Sequence, residues 1–221
     1  CYLNKEVTRG YTESDELGGD DPYSASKAGA ELVFASYARS YFADRAAFGA
    51  TSVRAGNVIG GGDWSSNRII PDCVRALISG QPITIRNPHA TRPWQHVLEP
   101  LSGYITLGAH LLKNGGGNFG SWNFGPPENA VHTVGEVANS VISEWGSGSL
   151  VVDQSSEKLH EATLLQLNCD KARNFFGWKP RWGYEQTIRK TIQWYVNFNN
   201  QVNVLETSKK QLTEYEMSEH D

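Results

Sequence analysis

The stretch Asp21-Pro22-Tyr23-Ser24-Ala25-Ser26-Lys27 reads as the start of a helix that carries a phenol and an ammonium on one face. Asp20 or Asp21 can cap such a helix, and Pro22 suits its first turn, where a missing N–H costs nothing. Tyr23 and Lys27 then stand at i and i+4, one helical turn apart. A free phenol titrates near ~10, so one that accepts protons at neutral pH needs its charged form favoured by about 4 kcal/mol. One cation about 5 Å away contributes roughly 3 kcal/mol at an effective dielectric of about 20. Spacing alone is weak, because nine tyrosines and nine lysines in 221 residues give about 0.4 such pairs by chance. The surroundings of the pair carry the weight.

Outward from the pair, Glu31-Leu32-Val33-Phe34-Ala35-Ser36-Tyr37-Ala38 continues a helical apolar period, with an end expected around Phe42 to Asp44. Ala50-Thr51-Ser52-Val53-Arg54 reads as a short strand that runs into a glycine-rich loop, Ala55-Gly56-Asn57-Val58-Ile59-Gly60-Gly61-Gly62-Asp63-Trp64. Further on, helices are expected at Ile69 to Ile78, about Pro100 to Leu112, Val134 to Trp145 and Tyr184 to Tyr195. Short strands are expected at Pro82 to Ile85, Trp122 to Phe124 and Leu150 to Val152. The tail after Asn199 is polar, and Lys209 to Met217 reads as a short helix that either docks or frays.

Composition narrows the class. A chain of this length buries a sizeable core, and no apolar run approaches the ~18 residues of a membrane span. Its N-terminus has no basic-then-hydrophobic leader pattern. Cys1, Cys73 and Cys169 are odd in number and lack metal spacing, so reduced thiols and a cytoplasmic setting are expected. A net charge of −4 argues against nucleic-acid backbone binding. His89 and His96 have no third ligand in view, so no metal site is expected, and His96 reads as a hydrogen-bonding wall residue. No Gly-x-Ser-x-Gly turn points to a serine hydrolase. Trp178 and Trp182, on either side of Pro180, read as a packing clasp.

A helix bearing the Tyr–Lys pair, then a strand, then a glycine-rich loop with an asparagine resembles the extended short-chain dehydrogenase/reductase family. Within it, the chain is most similar to the nucleotide-sugar 4,6-dehydratases that act on CDP-glucose. The matching pieces are Tyr23 to Lys27, Arg54 to Trp64, Asn67-Arg68-Ile69-Ile70-Pro71-Asp72, Arg92-Pro93-Trp94-Gln95-His96-Val97 and Gly177-Trp178-Lys179-Pro180. Together they cover nearly the whole chain.

The resemblance implies an α/β fold: the C-terminal part of a Rossmann-like doubly wound parallel sheet plus a small α/β substrate-binding lobe. Residues 1–60 would belong to the NAD-binding domain, with later segments returning to it, residues 61–199 mainly to the lobe, and 200–221 to a polar tail. It implies NAD as cofactor, a CDP-sugar as substrate, and a homodimer or tetramer built on the helix after Pro22. Tyr23 and Lys27 would be catalytic and cofactor-binding: the tyrosine would take the proton of the sugar 4-hydroxyl while hydride leaves C4. Water would be lost across C5 and C6, and the hydride would return to C6. Asn57, Arg68, Arg86, Arg92 and Glu161 would bind substrate, Arg92 gripping the diphosphate and Glu161 bonding the ribose, whereas Arg54 reads as a structural partner at its strand end.

The family's Gly-x-x-Gly-x-x-Gly pyrophosphate turn is absent from this sequence, and its C5 base and C6 acid are expected upstream of Cys1. A C-terminal portion of such an enzyme is therefore expected. Two other readings stay open: a nucleotide-sugar 4-epimerase or a dehydratase for another nucleotide, and a binding or dimerising module without turnover. The choice of NAD over NADP is not legible, because the ribose-selecting acid lies outside these residues.

Overall fold

The computed structural model describes residues 1–42, 44, 48–114, 117–126, 131–153 and 166–218. In chain order the helices are α1 (Pro22–Tyr37), α2 (Ile69–Ile78), α3 (Leu98–Asn114), α4 (Val134–Trp145), α5 (Asp170–Phe176), α6 (Tyr184–Asn199) and α7 (Val204–Met217). The strands are β1 (Gly49–Ala55), β2 (Asn57–Ile59), β3 (Ile83–Ile85), β4 (Thr91–His96), β5 (Gly117–Phe124), β6 (Val131–Thr133) and β7 (Leu150–Val152). A π-helical turn over Ala38–Phe42 closes α1, so the helical run ends within the expected range.

Local chemistry accounts for the helix ends. The Asp21 carboxylate caps α1 by accepting from the backbone N–H of Tyr23 at 2.8 Å and of Ser24 at 3.0 Å. Thr133 and Glu136 form a reciprocal capping box on α4, whose far end closes on Gly146 at φ +89°, a backbone shape that favours glycine. The expected α2 is found at its expected limits, with Ile70, Cys73, Val74 and Leu77 buried along one stripe.

Three small sheets organise the strands. β1 and β5 run parallel, with Val53 opposite Trp122 and Ala55 opposite Phe124. β4 lies between β2 and β6, parallel to the first and antiparallel to the second, and β3 pairs in parallel with β7. Two apolar clusters follow this division. One gathers Tyr2, Tyr11, Leu107, Trp122, Phe124 and Trp178 around β5 and α3. The other gathers Ile70, Val74, Ile83, Trp94, Val141 and Ile192 among α2, α4, α6 and the short strands. Gly103 lets α3 approach β5, since a Cβ there would lie 2.3 Å from the Phe124 ring.

The sequence reading left β2 inside a loop and passed over β4, β6 and α5, which the structure adds. The polar tail docks as α7, longer than expected. Its anchor is Glu99, fully buried on α3, which accepts from the Trp182 N–H at 2.8 Å, the Arg181 N–H at 3.0 Å and the Tyr215 hydroxyl at 2.8 Å. Burial pushes the Glu99 carboxyl above its ordinary range. Trp178 and Trp182 do form a clasp: both are buried, one donating to Ser102 Oγ at 3.0 Å and the other to Ser218 Oγ at 3.1 Å.

Candidate active site

The cap on α1 places Tyr23 in the first turn and Lys27 one turn on, with Lys27 Nζ 5.6 Å from the centre of the Tyr23 ring. Tyr23 is 69% exposed, so its hydroxyl is open to a ligand. Two clefts meet at this helix start. The first, about 580 Å³, is lined by Tyr23, Lys27, Glu31, Ser52, Arg54 and Asn57 among others. The second, about 610 Å³, is lined by Tyr23, Asn57, Gly60, Arg68, Arg92 and Trp94 among others. Tyr23, Gly56 and Asn57 belong to both, so the phenol stands on the ridge between them.

Asn57 begins β2, opposite Trp94 on β4. Its Nδ2 and the Trp94 Nε1 are buried without an acceptor among the described residues. Unpaired buried donors beside a cleft are what a polar ligand would satisfy.

The arginines separate by place. Arg54 is 8% exposed and structural, as expected: it pairs with Glu31 at 2.8 Å and donates to the Tyr2 hydroxyl at 2.7 Å and to Ser121 Oγ at 2.8 Å. The Tyr2 hydroxyl in turn donates a hydrogen bond to Asn123 Oδ1 at 2.7 Å, so the network ties α1 to β1 and β5. Arg68 is exposed at the mouth of the second cleft, 3.9 Å from Asp63. Arg92 lines the same cleft from β4 and donates to the Thr91 carbonyl at 2.7 Å. Arg86 is exposed just past β3 and is not among the residues lining either cleft. Glu161 falls outside the described residues.

Glu31 was missed by the sequence reading, although a signal existed. It follows Lys27 by four residues and so continues the Tyr23–Lys27 face. Burial pushes its carboxyl up, but hydrogen bonds from Arg54, Ser52 and Ser121 outweigh that and leave it below its ordinary value of 4.5. A depressed carboxylate stabilises the fold fully above that ordinary value, and the contribution is lost as pH falls through the folded-state value. Thermal melts between about pH 7 and pH 3 should therefore show a smaller acid loss in Glu31→Gln than in the unsubstituted chain. Parallel melting curves for the two would contradict this.

His96, expected as a wall residue, is not among the residues lining either cleft and is buried instead. It is 2% exposed, packs 4.8 Å from the Trp182 ring centre, and accepts at Nδ1 from the Leu98 N–H at 3.3 Å. Burial, with Lys190 nearby, lowers it to about 4, so it is neutral at pH 7. Among the described residues no three His, Cys, Asp or Glu side chains converge as a metal set, and no helix is long and apolar enough to cross a membrane.

Solved structures place the fold in a class. The chain matches a dTDP-glucose 4,6-dehydratase from Bacillus anthracis, solved in complex with NAD, with a TM-score of 0.70 and 25% identity, covering 92% of this chain and 60% of that one. A UDP-glucose 4-epimerase from Bifidobacterium longum gives the same TM-score at 16% identity, over 87% of this chain and 59% of that one, which speaks for the fold alone. The fold is that of the Rossmann-type dehydratases and epimerases.

The family model described as GDP-mannose 4,6 dehydratase matches residues 4–191, and the chain belongs to that family. It is 41% identical over 219 residues to a CDP-glucose 4,6-dehydratase of Salmonella typhimurium, a match covering 97% of this chain. It spans 61% of that relative's length.

Proposed function

We propose that this chain carries the tyrosine-centred part of the active site of an NAD-dependent CDP-glucose 4,6-dehydratase, a hydro-lyase that forms CDP-4-keto-6-deoxy-D-glucose. The observation that supports it most is Tyr23 standing beside Lys27 on the ridge between two clefts, one for each of two ligands. The 41% identical relative carries that activity in its name.

In this reading Tyr23 accepts the proton of the sugar 4-hydroxyl. The Lys27 ammonium stabilises by Coulomb attraction the Tyr23 phenolate that takes this proton and becomes a neutral phenol. Tyr23 and Lys27 would hold NAD at the first cleft, and the unpartnered Asn57 amide fits a polar ligand where the clefts join. NAD, when bound, supplies the reversible hydride acceptor. Arg68 and Arg92 present two guanidiniums to the diphosphate in the second cleft, where bidentate charge-assisted bonds are strongest. Arg86 and Glu161 remain proposed substrate contacts on the resemblance alone. The cluster around β5 and α3 would serve the cofactor side, and the cluster around α2, α4 and α6 would be the substrate lobe, with the boundary near residue 60.

α1 also exposes Leu32, Val33 and Tyr37, with Tyr41 continuing the row, an apolar face suited to pairing with a second copy in a dimer or tetramer. Cys1, Cys73 and Cys169 are free thiols, consistent with a cytoplasmic enzyme.

Equilibrium titration tests the assignment. CDP should bind at least about tenfold more tightly than UDP or dTDP, a difference of roughly 1.4 kcal/mol. A preference for UDP or dTDP would overturn the cytidine assignment, and no binding of any of the three would overturn the nucleotide-sugar reading itself.

A further inference from the structure

The loop from Gly60 to Arg68 joins β2 to α2 and supplies Gly60, Gly61, Asp63, Asn67 and Arg68 to the second cleft. Asn67 sits at φ +61° and Gly62 at φ +88°, turns that asparagine and glycine accommodate, and the loop also draws on outside support. The support comes from the far side of the loop. A Cβ on Gly61 would lie 2.1 Å from Trp194 Cγ, so the loop backbone rests directly on the α6 indole. Gly61 does not have a positive φ, so space rather than conformation requires glycine there. The Tyr195 hydroxyl donates to the Asp63 carbonyl at 2.6 Å. Burial pushes Tyr195 up to about 12, which keeps that hydroxyl protonated as a donor.

Trp64 then folds over the same helix, its ring centre 5.2 Å from Tyr195 and 5.0 Å from Phe198. Trp194 is held in turn by α7, where its Nε1 donates to Ser208 Oγ at 3.0 Å. From α2, Arg75 donates to the carbonyls of Trp64 at 2.9 Å and Ser65 at 3.2 Å. The loop is therefore clamped between α2 and the α6–α7 corner.

We propose that Trp194 and Tyr195, backed by α7, are positioning residues for a nucleoside diphosphate: they fix the Gly60–Trp64 backbone and so present Asn67 and Arg68 to the phosphates in the second cleft. Neither residue lines a cleft, and Tyr23 on α1 is independent of them. The proposal rests on the dehydratase reading for its ligand, and on the geometry alone for its loop.

The experiment has matched arms. In a full-length dehydratase carrying this sequence, Trp194→Ala and Tyr195→Phe should raise KM for CDP-glucose about tenfold or more and leave kcat within about threefold, the pattern of lost ground-state positioning. In this chain, hydrogen exchange at the amides of residues 60–68 should quicken in both variants, while α1 amides stay unchanged. Gly61→Ala should weaken CDP binding in the unsubstituted background but add nothing in a Trp194→Ala background, because the clash partner is gone. Unchanged KM and exchange, or additive Gly61 and Trp194 effects, would overturn the positioning role. Absence of CDP binding by the unsubstituted chain would overturn the dehydratase reading and the ligand half of the proposal together, with exchange still deciding the loop half.

Discussion

Tyr23→Phe, made in a longer protein carrying this sequence, is expected under the proposed base role to lower kcat by about 10²- to 10⁴-fold, the range for a positioned acid–base group. CDP affinity should change by less than about twofold, because the ring remains and only the proton acceptor is lost. The fold gives no competing reason for a loss of activity. Tyr23 is 69% exposed, and α1 is capped through the Tyr23 backbone N–H rather than its side chain. Steady-state kinetics beside a CDP titration check this, and turnover within about threefold of the parent enzyme would remove Tyr23 from the base role.

The second large effect concerns the scaffold behind that tyrosine. Arg54→Met is expected to destabilise the chain by about 3–5 kcal/mol, because the Glu31 carboxylate stays buried without its cation. Side chains of both partners are largely shielded, at 7% and 12% exposure, so solvent screening weakens the pair little. The Tyr2 hydroxyl and Ser121 Oγ lose a donor as well. Urea titration measures the loss. The double variant Arg54→Met with Glu31→Gln should recover part of it, since no uncompensated charge then remains. A single-variant loss under about 1 kcal/mol would show that this network does not hold α1 to the sheet.

Much of the site was legible because its decisive spacing is local. A cap, a proline and an i to i+4 pair involve seven consecutive residues, and a helix brings them together whatever surrounds it. The same holds for α2, whose apolar stripe is complete within ten residues. β4 was illegible for a physical reason. Its run, Thr91 to His96, contains a proline and buries Gln95 and His96, so it reads neither as an alternating strand nor as an apolar one. Two neighbours share β4 in succession: Thr91 to Pro93 face β6, and Trp94 to His96 face β2. Pro93 therefore lies where β6 alone pairs with it, a circumstance no local pattern encodes. α5 escaped notice because seven residues are too few to show a helical period.

The arginines mark the division between sequence and structure most clearly. Composition and motif placed Arg54, Arg68, Arg86 and Arg92 in or beside important loops, and residue type alone could rank them only by resemblance. Parallel pairing of β1 with β5 turned Arg54 inward to Glu31 and Tyr2, while β4, paired with β6 at Arg92 and with β2 further on, brought Arg92 to the second cleft that Arg68 also lines. Arg86 was carried past the end of β3 to open surface. By itself the sequence determined the capped helix and the phenol–ammonium pair, because those depend on neighbours within one turn. Only the tertiary structure decided which charges line a cleft and which brace the sheet, because that depends on register between strands dozens of residues apart.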